Sequence, residues 1–197
     1  MKNSFLNMVL VLSLVSLIAA TSLAVVNELT KEPIAKAQEE KLIKAIAMVT
    51  PEFDSLKTYN MAPPKNIGDQ LSFYEVRKEG KLVGTAVKSW TDKAFSGRMW
   101  VIVGFLPNGV IYNSNVLQHK ETPGLGDKTD SKKSDWNEQF KAKDPAKFSL
   151  TVSKDGGDVD AITAATISSR AYCDAVQRAY DVYVNKQVGS NKDNKND

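Results

Sequence analysis

Arg98-Met-Trp-Val-Ile-Val-Gly-Phe-Leu106, Pro107-Asn-Gly109, Val110-Ile-Tyr-Asn-Ser-Asn-Val-Leu117: this stretch decides the fold. Two runs rich in Val, Ile, Phe, Tyr and Trp flank a Pro-Asn-Gly turn, so the chain reverses on itself as a β-hairpin. Immediately upstream the same grammar recurs: Leu71–Arg77 and Lys81–Trp90 flank Lys78-Glu79-Gly80. Two consecutive hairpins predict a small, mainly antiparallel sheet.

Working outward, the spacing predicts a short helix over Ser134–Lys143, carrying Trp136 and Phe140, and a short strand over Phe148–Val152. Ile167 to Val184 reads as a long amphipathic helix with Ala171, Ala175, Ala179 and Val182 on one side. The Asn191–Asp197 tail is polar and is expected to be disordered. Towards the N-terminus, Met61–Gly68 reads as a loop. Asn27 to Val49 mixes charged and apolar residues at helical spacing and stops at Pro51, with Pro33 predicting a break or a fresh start. From Phe5 to Val26 there is no charged residue. About 20 apolar residues suffice to cross a bilayer, whereas a signal-peptide core is usually about 7–15, so a retained anchor is favoured over cleavage at Ser22-Leu23-Ala24. Lys2 precedes the span, while Glu28, Lys31 and Glu32 nearly cancel after it. That asymmetry orients the N-terminus to the cytoplasm and the body outside. The expected organisation is an α+β chain: a transmembrane anchor over 1–27, a helical stalk over 28–60, a domain over 61–187 and a polar tail over 188–197.

Composition narrows the chemistry. A net charge of +3 over 197 residues, with no clustered Lys/Arg, argues against nucleic acid. The single cysteine, Cys173, excludes an internal disulfide and a Cys-based zinc or iron–sulfur site, and the single histidine, His119, argues against a His-rich metal site. Redox chemistry here requires an organic cofactor or a partner.

Two segments stand out. Asp158-Val-Asp160-Ala-Ile-Thr163-Ala-Ala165-Thr166-Ile-Ser168-Ser169 leads into the C-terminal helix. Free backbone N–H groups and the helix dipole at such an end suit a phosphate. Thr163 or Thr166 can equally supply an ordinary N-cap oxygen, and small Ala164 and Ala165 leave room for close approach. The second segment is Gln118-His119-Lys120-Glu121-Thr122-Pro123-Gly124-Leu125-Gly126-Asp127. It is either a surface loop or one that offers glycine backbone N–H groups to a planar ligand.

Together these segments resemble a known pair of motifs. Asp160-x-x-Thr163-Ala-Ala165-Thr166 is similar to the Asp-x-x-(Ser/Thr)-Gly-Ala-Thr flavinylation motif. Glu121-Thr122-Pro123-Gly124-Leu125-Gly126 is similar to the Glu-Thr-Pro-Gly-(hydrophobic)-Gly signature of the same FMN-binding domain. With the single anchor, nearly the whole chain resembles the G subunit (RnfG) of the Rnf ion-translocating electron-transport complex. The usually longer C subunit of the sodium-pumping NADH:quinone reductase is the neighbouring possibility.

The resemblance implies that 61–187 is an FMN-binding domain. It implies FMN attached covalently through its phosphate to Thr166 by a flavin transferase, with Thr163, Asp160, Ala165, Glu121, Thr122, Gly124 and Leu125 as further cofactor-binding positions. It names no catalytic side chain and no metal. The implied role is an electron carrier on the periplasmic side of the inner membrane. Its implied partners are the A, B, C, D and E subunits of the Rnf complex, in a translocase coupling electron transfer between ferredoxin and NAD to ion movement. Ala164 departs from the motif's glycine and is the one support for an anchored assembly module without covalent flavin. His119 beside the Glu-Thr-Pro-Gly loop is read as an exposed or structural histidine ahead of a flavin-proximal one, and Trp90, Trp100 and Trp136 as core residues ahead of stacking on the flavin.

Overall fold

The computed structural model describes residues 2–62 and 69–193, with side chains described between 4 and 187. The predicted loop residues 63–68 and the last four residues lie outside that range. The chain divides into two compact units, residues 1–43 and 44–197.

The first unit is the greater part of helix α1, Lys2–Val49. Residues 4–41 are exposed throughout, including Leu10, Leu14 and Ile18. The helix is long and apolar enough to cross a membrane. Pro33 does not break it. A proline removes one backbone bond, and good helix formers on either side, among them an exposed Glu32–Lys36 pair at 2.8 Å, continue the spiral across it.

The second unit is built on a five-stranded antiparallel meander in the order β1 Ser55–Met61, β2 Leu71–Lys78, β3 Lys81–Thr91, β4 Met99–Phe105 and β5 Ile111–Gln118. The two expected hairpins are β2–β3 and β4–β5. β1 is a correction to the stalk predicted over 28–60. Pro51 ends the helix, and Ser55–Met61 instead pairs along β2, from Ser55 opposite Arg77 to Met61 opposite Leu71. Its side chains are mostly exposed, so an edge strand of polar composition carries little alternation to read.

Successive side chains point to opposite faces of the sheet, and both faces of its central strands are covered. Phe73, Val87 and Val103 lie in register and join Leu71, Met99, Val101 and Phe105 in the main core. Helix α2, Thr166–Asp193, covers that core with Ala171, Tyr172, Ala175, Val176, Ala179 and Val182, all essentially buried. The alternate residues Val76, Ala86 and Ile102 are buried with Ala45, Ile46 and Val49 from the last turn of α1. Contact there is at backbone distance: a Cβ on Gly104 would fall 2.6 Å from the Val49 carbonyl carbon. Asn113 Nδ2 also donates to the Met48 carbonyl at 3.2 Å.

Three further expectations change. The helix over Ser134–Lys143 shortens to a turn at Trp136–Phe140. Phe148–Val152 is not a strand, because its backbone bonds locally: Phe148 N–H donates to Asp144 at 2.8 Å and Ser149 N–H to the Asp158 carboxylate at 2.7 Å. Only an isolated bridge joins Val152 to Val159. Helix α2 continues to Asp193, past the boundary expected at 187, since each added helical residue gains a bond once the helix is nucleated.

Candidate functional site

The loop after β5 is organised by one carboxylate. Glu121 is buried, and its Oε1 accepts the Ser96 N–H at 2.8 Å while its Oε2 accepts the Ser168 hydroxyl. One side chain thus ties together the β3–β4 loop, its own loop and the first turn of α2. Its backbone N–H donates to His119 Nδ1 at 3.1 Å, which gives half-buried His119 a structural role.

The rest of the loop closes on Thr122, whose carbonyl accepts N–H groups from Leu125 at 3.2 Å and Asp127 at 3.4 Å. Gly124 supplies the positive φ, +77°, that the reversal needs. Gly126 lies so close to α2 that a Cβ would fall 2.6 Å from Glu121 Oε2 and still nearer Ser168 Oγ.

The helix start is built as tightly. Ala165 N–H donates to the Ile162 carbonyl at 3.0 Å, closing a turn whose third residue, Ala164, has φ +62°. That is the position where such turns favour glycine. Buried Ser169 clamps the turn to the helix. Its hydroxyl accepts the Ile162 N–H at 2.9 Å and donates to the Ala165 carbonyl at 3.0 Å. Neither Thr163 nor Thr166 caps the helix with a hydrogen bond among the described residues. The Ser169 N–H, at 3.0 Å from the Ala165 carbonyl, makes the first helical bond. The N–H groups of Thr166, Ile167 and Ser168 precede it and have no acceptor within the helix.

These two constructions face each other across a cavity of about 330 Å³ lined by Phe95, Glu121, Thr122, Leu125, Gly126 and residues 164–168. Of the residues singled out by sequence, Glu121, Thr122, Leu125, Ala165 and Thr166 meet in its wall. Gly124 stays in the loop that shapes it. Thr163 is exposed in the turn, outside the wall. Asp160 is anchored away from the wall by its backbone: its N–H donates to Gln139 Oε1 at 2.8 Å, and its carbonyl accepts the Trp136 indole N–H at 2.6 Å.

Sequence reasoning missed Phe95, which is 67% exposed at the rim, and Lys154, whose Nζ donates to Thr166 Oγ1 at 3.4 Å. An aromatic in the polar Asp92–Gly97 loop was the one signal for Phe95; Lys154 carried none. The tryptophans lie elsewhere: Trp90 packs against the Arg98 and Arg178 guanidinium groups, and Trp136 against Phe140 and Tyr172.

Burial pushes the Cys173 thiol up to about 12, which leaves it a protonated, inert packing group. Burial likewise raises Tyr172, although its hydroxyl bonds Ser114. At the surface the Arg170 guanidinium holds the Asp155 carboxyl below its ordinary value, through two bonds of 2.6 and 2.7 Å.

A cavity walled by a glycine-bearing loop and an open helix start, in a chain whose first helix is long and apolar enough to cross a membrane, fits one class: a small-molecule-binding domain. The FMN-binding domain family matches residues 95–181, which contain both walls, and the RnfG N-terminal region matches residues 1–49. The chain is 34% identical to the G subunit of the ion-translocating oxidoreductase complex of Shewanella oneidensis, over 95% of this chain and 93% of that protein. The same-named protein of Vibrio atlanticus is 33% identical over 90% and 88%, and that of Cereibacter sphaeroides 32% over 88% and 82%. The chain belongs to the family of G subunits of ion-translocating oxidoreductase complexes.

Proposed function

We propose that this protein is the FMN-bearing electron carrier of an Rnf-type ion-translocating oxidoreductase complex, with the flavin joined through its phosphate to Thr166. The observation that carries the reading is the placement of Thr166. It is the first residue of α2, lies in the cavity wall and is followed by N–H groups with no acceptor in the helix.

The residues present fit the group. About 330 Å³ is within the ordinary range for small-molecule sites. The Thr166, Ile167 and Ser168 N–H groups, without acceptors in the helix, would hold a phosphate, small Ala164 and Ala165 would leave it room, and Phe95, Leu125 and Ile167 would offer an apolar wall to a planar ring. Glu121 orders this wall through Ser96 and Ser168. When bound, FMN supplies the redox chemistry, exchanging electrons singly with partners that come close. The chain binds, orients and partly shields it, and these contacts set its potential. Thr163 and Asp160, outside the wall, fit recognition by the flavin transferase better than contact with the ring.

Ala164, the departure from the motif, does not favour a flavin-free assembly module, because the turn keeps the positive φ that glycine would give. The relatives' names support membership of a multi-subunit complex, and the length and apolarity of the N-terminal helix support a membrane anchor. We further propose the A, B, C, D and E subunits as partners, and an anchor in the inner membrane with the domain on the periplasmic side. Transfer between ferredoxin and NAD coupled to ion movement completes the reading.

The test is the full chain purified from cells that also express the flavin transferase, run on a denaturing gel under ultraviolet light. The expected band fluoresces and Thr166→Ala is dark; a dark wild-type band refutes the proposal.

A further inference from the structure

Resting on that reading, one charge remains to be balanced. A phosphodiester carries a full negative charge, and the one charged residue in the cavity wall, among the described residues, is Glu121, also negative. The helix start contributes only a partial positive charge. We propose that the Lys154 ammonium is the counter-ion of the phosphodiester on Thr166, a positioning residue that holds the phosphate against the start of α2.

The geometry is built for it. Lys154 Nζ lies 3.4 Å from Thr166 Oγ1, the atom that would become the ester oxygen of the phosphodiester. Lys154 has no carboxylate partner among the described residues. Its neighbour in sequence, Asp155, is instead taken bidentately by Arg170 of α2. That pairing neutralises Asp155, leaves the lysine charge uncompensated, and pins the turn carrying Lys154 to the helix carrying Thr166.

The turn itself, Ser153–Asp155, is tightly closed. Ser153 N–H donates to the Val159 carbonyl at 2.7 Å and Asp155 N–H to the Val152 carbonyl at 2.8 Å. Gly156 follows at φ +84°, and a Cβ on Gly157 would lie 2.5 Å from the Thr151 carbonyl carbon. Because the turn is fixed, only the lysine side chain has to be ordered when it meets the phosphate.

The test is a cycle in the full-length protein in detergent: wild type, Lys154→Gln and Lys154→Arg, each loaded with flavin and each also in a Thr166→Ala background. Loading is read as flavin fluorescence per chain on a denaturing gel, and stability as the thermal midpoint of tryptophan fluorescence. Lys154→Gln should slow loading about tenfold, the effect of losing one charge-assisted hydrogen bond, with Lys154→Arg close to wild type. In loaded protein it should lower the midpoint by about 3 °C more than in the Thr166→Ala background. If Lys154→Gln yields no loaded protein, a Lys154→Arg that loads and a Lys154→Gln/Thr166→Ala protein that melts like Thr166→Ala support the proposal. An equal midpoint change in loaded and Thr166→Ala backgrounds overturns it, even if loading falls, because the lysine would then serve the transferase alone. A wild type without flavin overturns the proposed function and this inference with it.

Discussion

Replacing Ala164 by glycine should stabilise this protein, the reverse of what an alanine-to-glycine change usually does. Ala164 holds φ +62° in the turn before α2. For a residue with a Cβ the left-handed region costs about 1–2 kcal/mol, a cost that glycine escapes. Against that, glycine gives the unfolded chain more freedom, worth about 0.4–1 kcal/mol. The Ala164 methyl is exposed, so no burial is lost. The difference leaves about 0.5–1 kcal/mol in favour of Ala164→Gly, or about 2–3 °C in the midpoint. Urea titration of the full chain in detergent measures it cleanly, because Trp90, Trp100 and Trp136 all lie in the second unit. The Thr166→Ala background removes any contribution from flavin. A destabilisation of about 0.5–1 kcal/mol, the ordinary penalty for glycine at negative φ, would refute the left-handed turn.

Gly126→Ala should cost about 1–3 kcal/mol, since its Cβ has no room between Glu121 and Ser168, and should reduce flavin loading; urea titration and gel fluorescence check the two effects. Acid should destabilise the domain through carboxyls held below their ordinary values. Burial opposes ionisation of Asp174, but bonds from Lys93 and Thr91 outweigh it; Asp155 is held down by Arg170. Each contributes stability at pH above about 4, the unfolded value, which is lost as pH falls through the lower folded value. The midpoint should therefore be steady from pH 7 to about 5 and drop below about 4. Asp174→Asn should lessen that drop, and a midpoint flat down to pH 3 would contradict it.

The sheet was legible because its hairpins announce themselves locally. Pro107-Asn-Gly109 fixes a reversal, and the runs on either side are rich in the β-branched and aromatic residues that favour strands. β1 was not, since Ser55–Met61 is an edge whose pairing with β2 is decided by the neighbour and not by its own composition. Pro33 misled for a related reason: a helix absorbs one missing bond when both flanks favour it. The site divides similarly. Motif spacing led to Glu121, Thr122, Leu125, Ala165 and Thr166, which line one cavity. It placed Asp160 and Thr163 beside them by sequence proximity alone, whereas the backbone anchoring Asp160 to Gln139 and Trp136 holds it off the wall. Phe95, Ser168 and Lys154 reach the site through tertiary contacts, as in the 47-residue separation of Glu121 and Ser168.

Attachment of the flavin to Thr166 is tested most directly by fragmenting the tryptic peptide 155–170 from the full chain expressed with its flavin transferase. Cleavage after Lys154 and Arg170 yields a peptide holding both threonines of the motif. The expected spectrum shows an FMN phosphoryl adduct on Thr166 with Thr163 unmodified; an unmodified peptide, or an adduct on Thr163, would contradict the assignment.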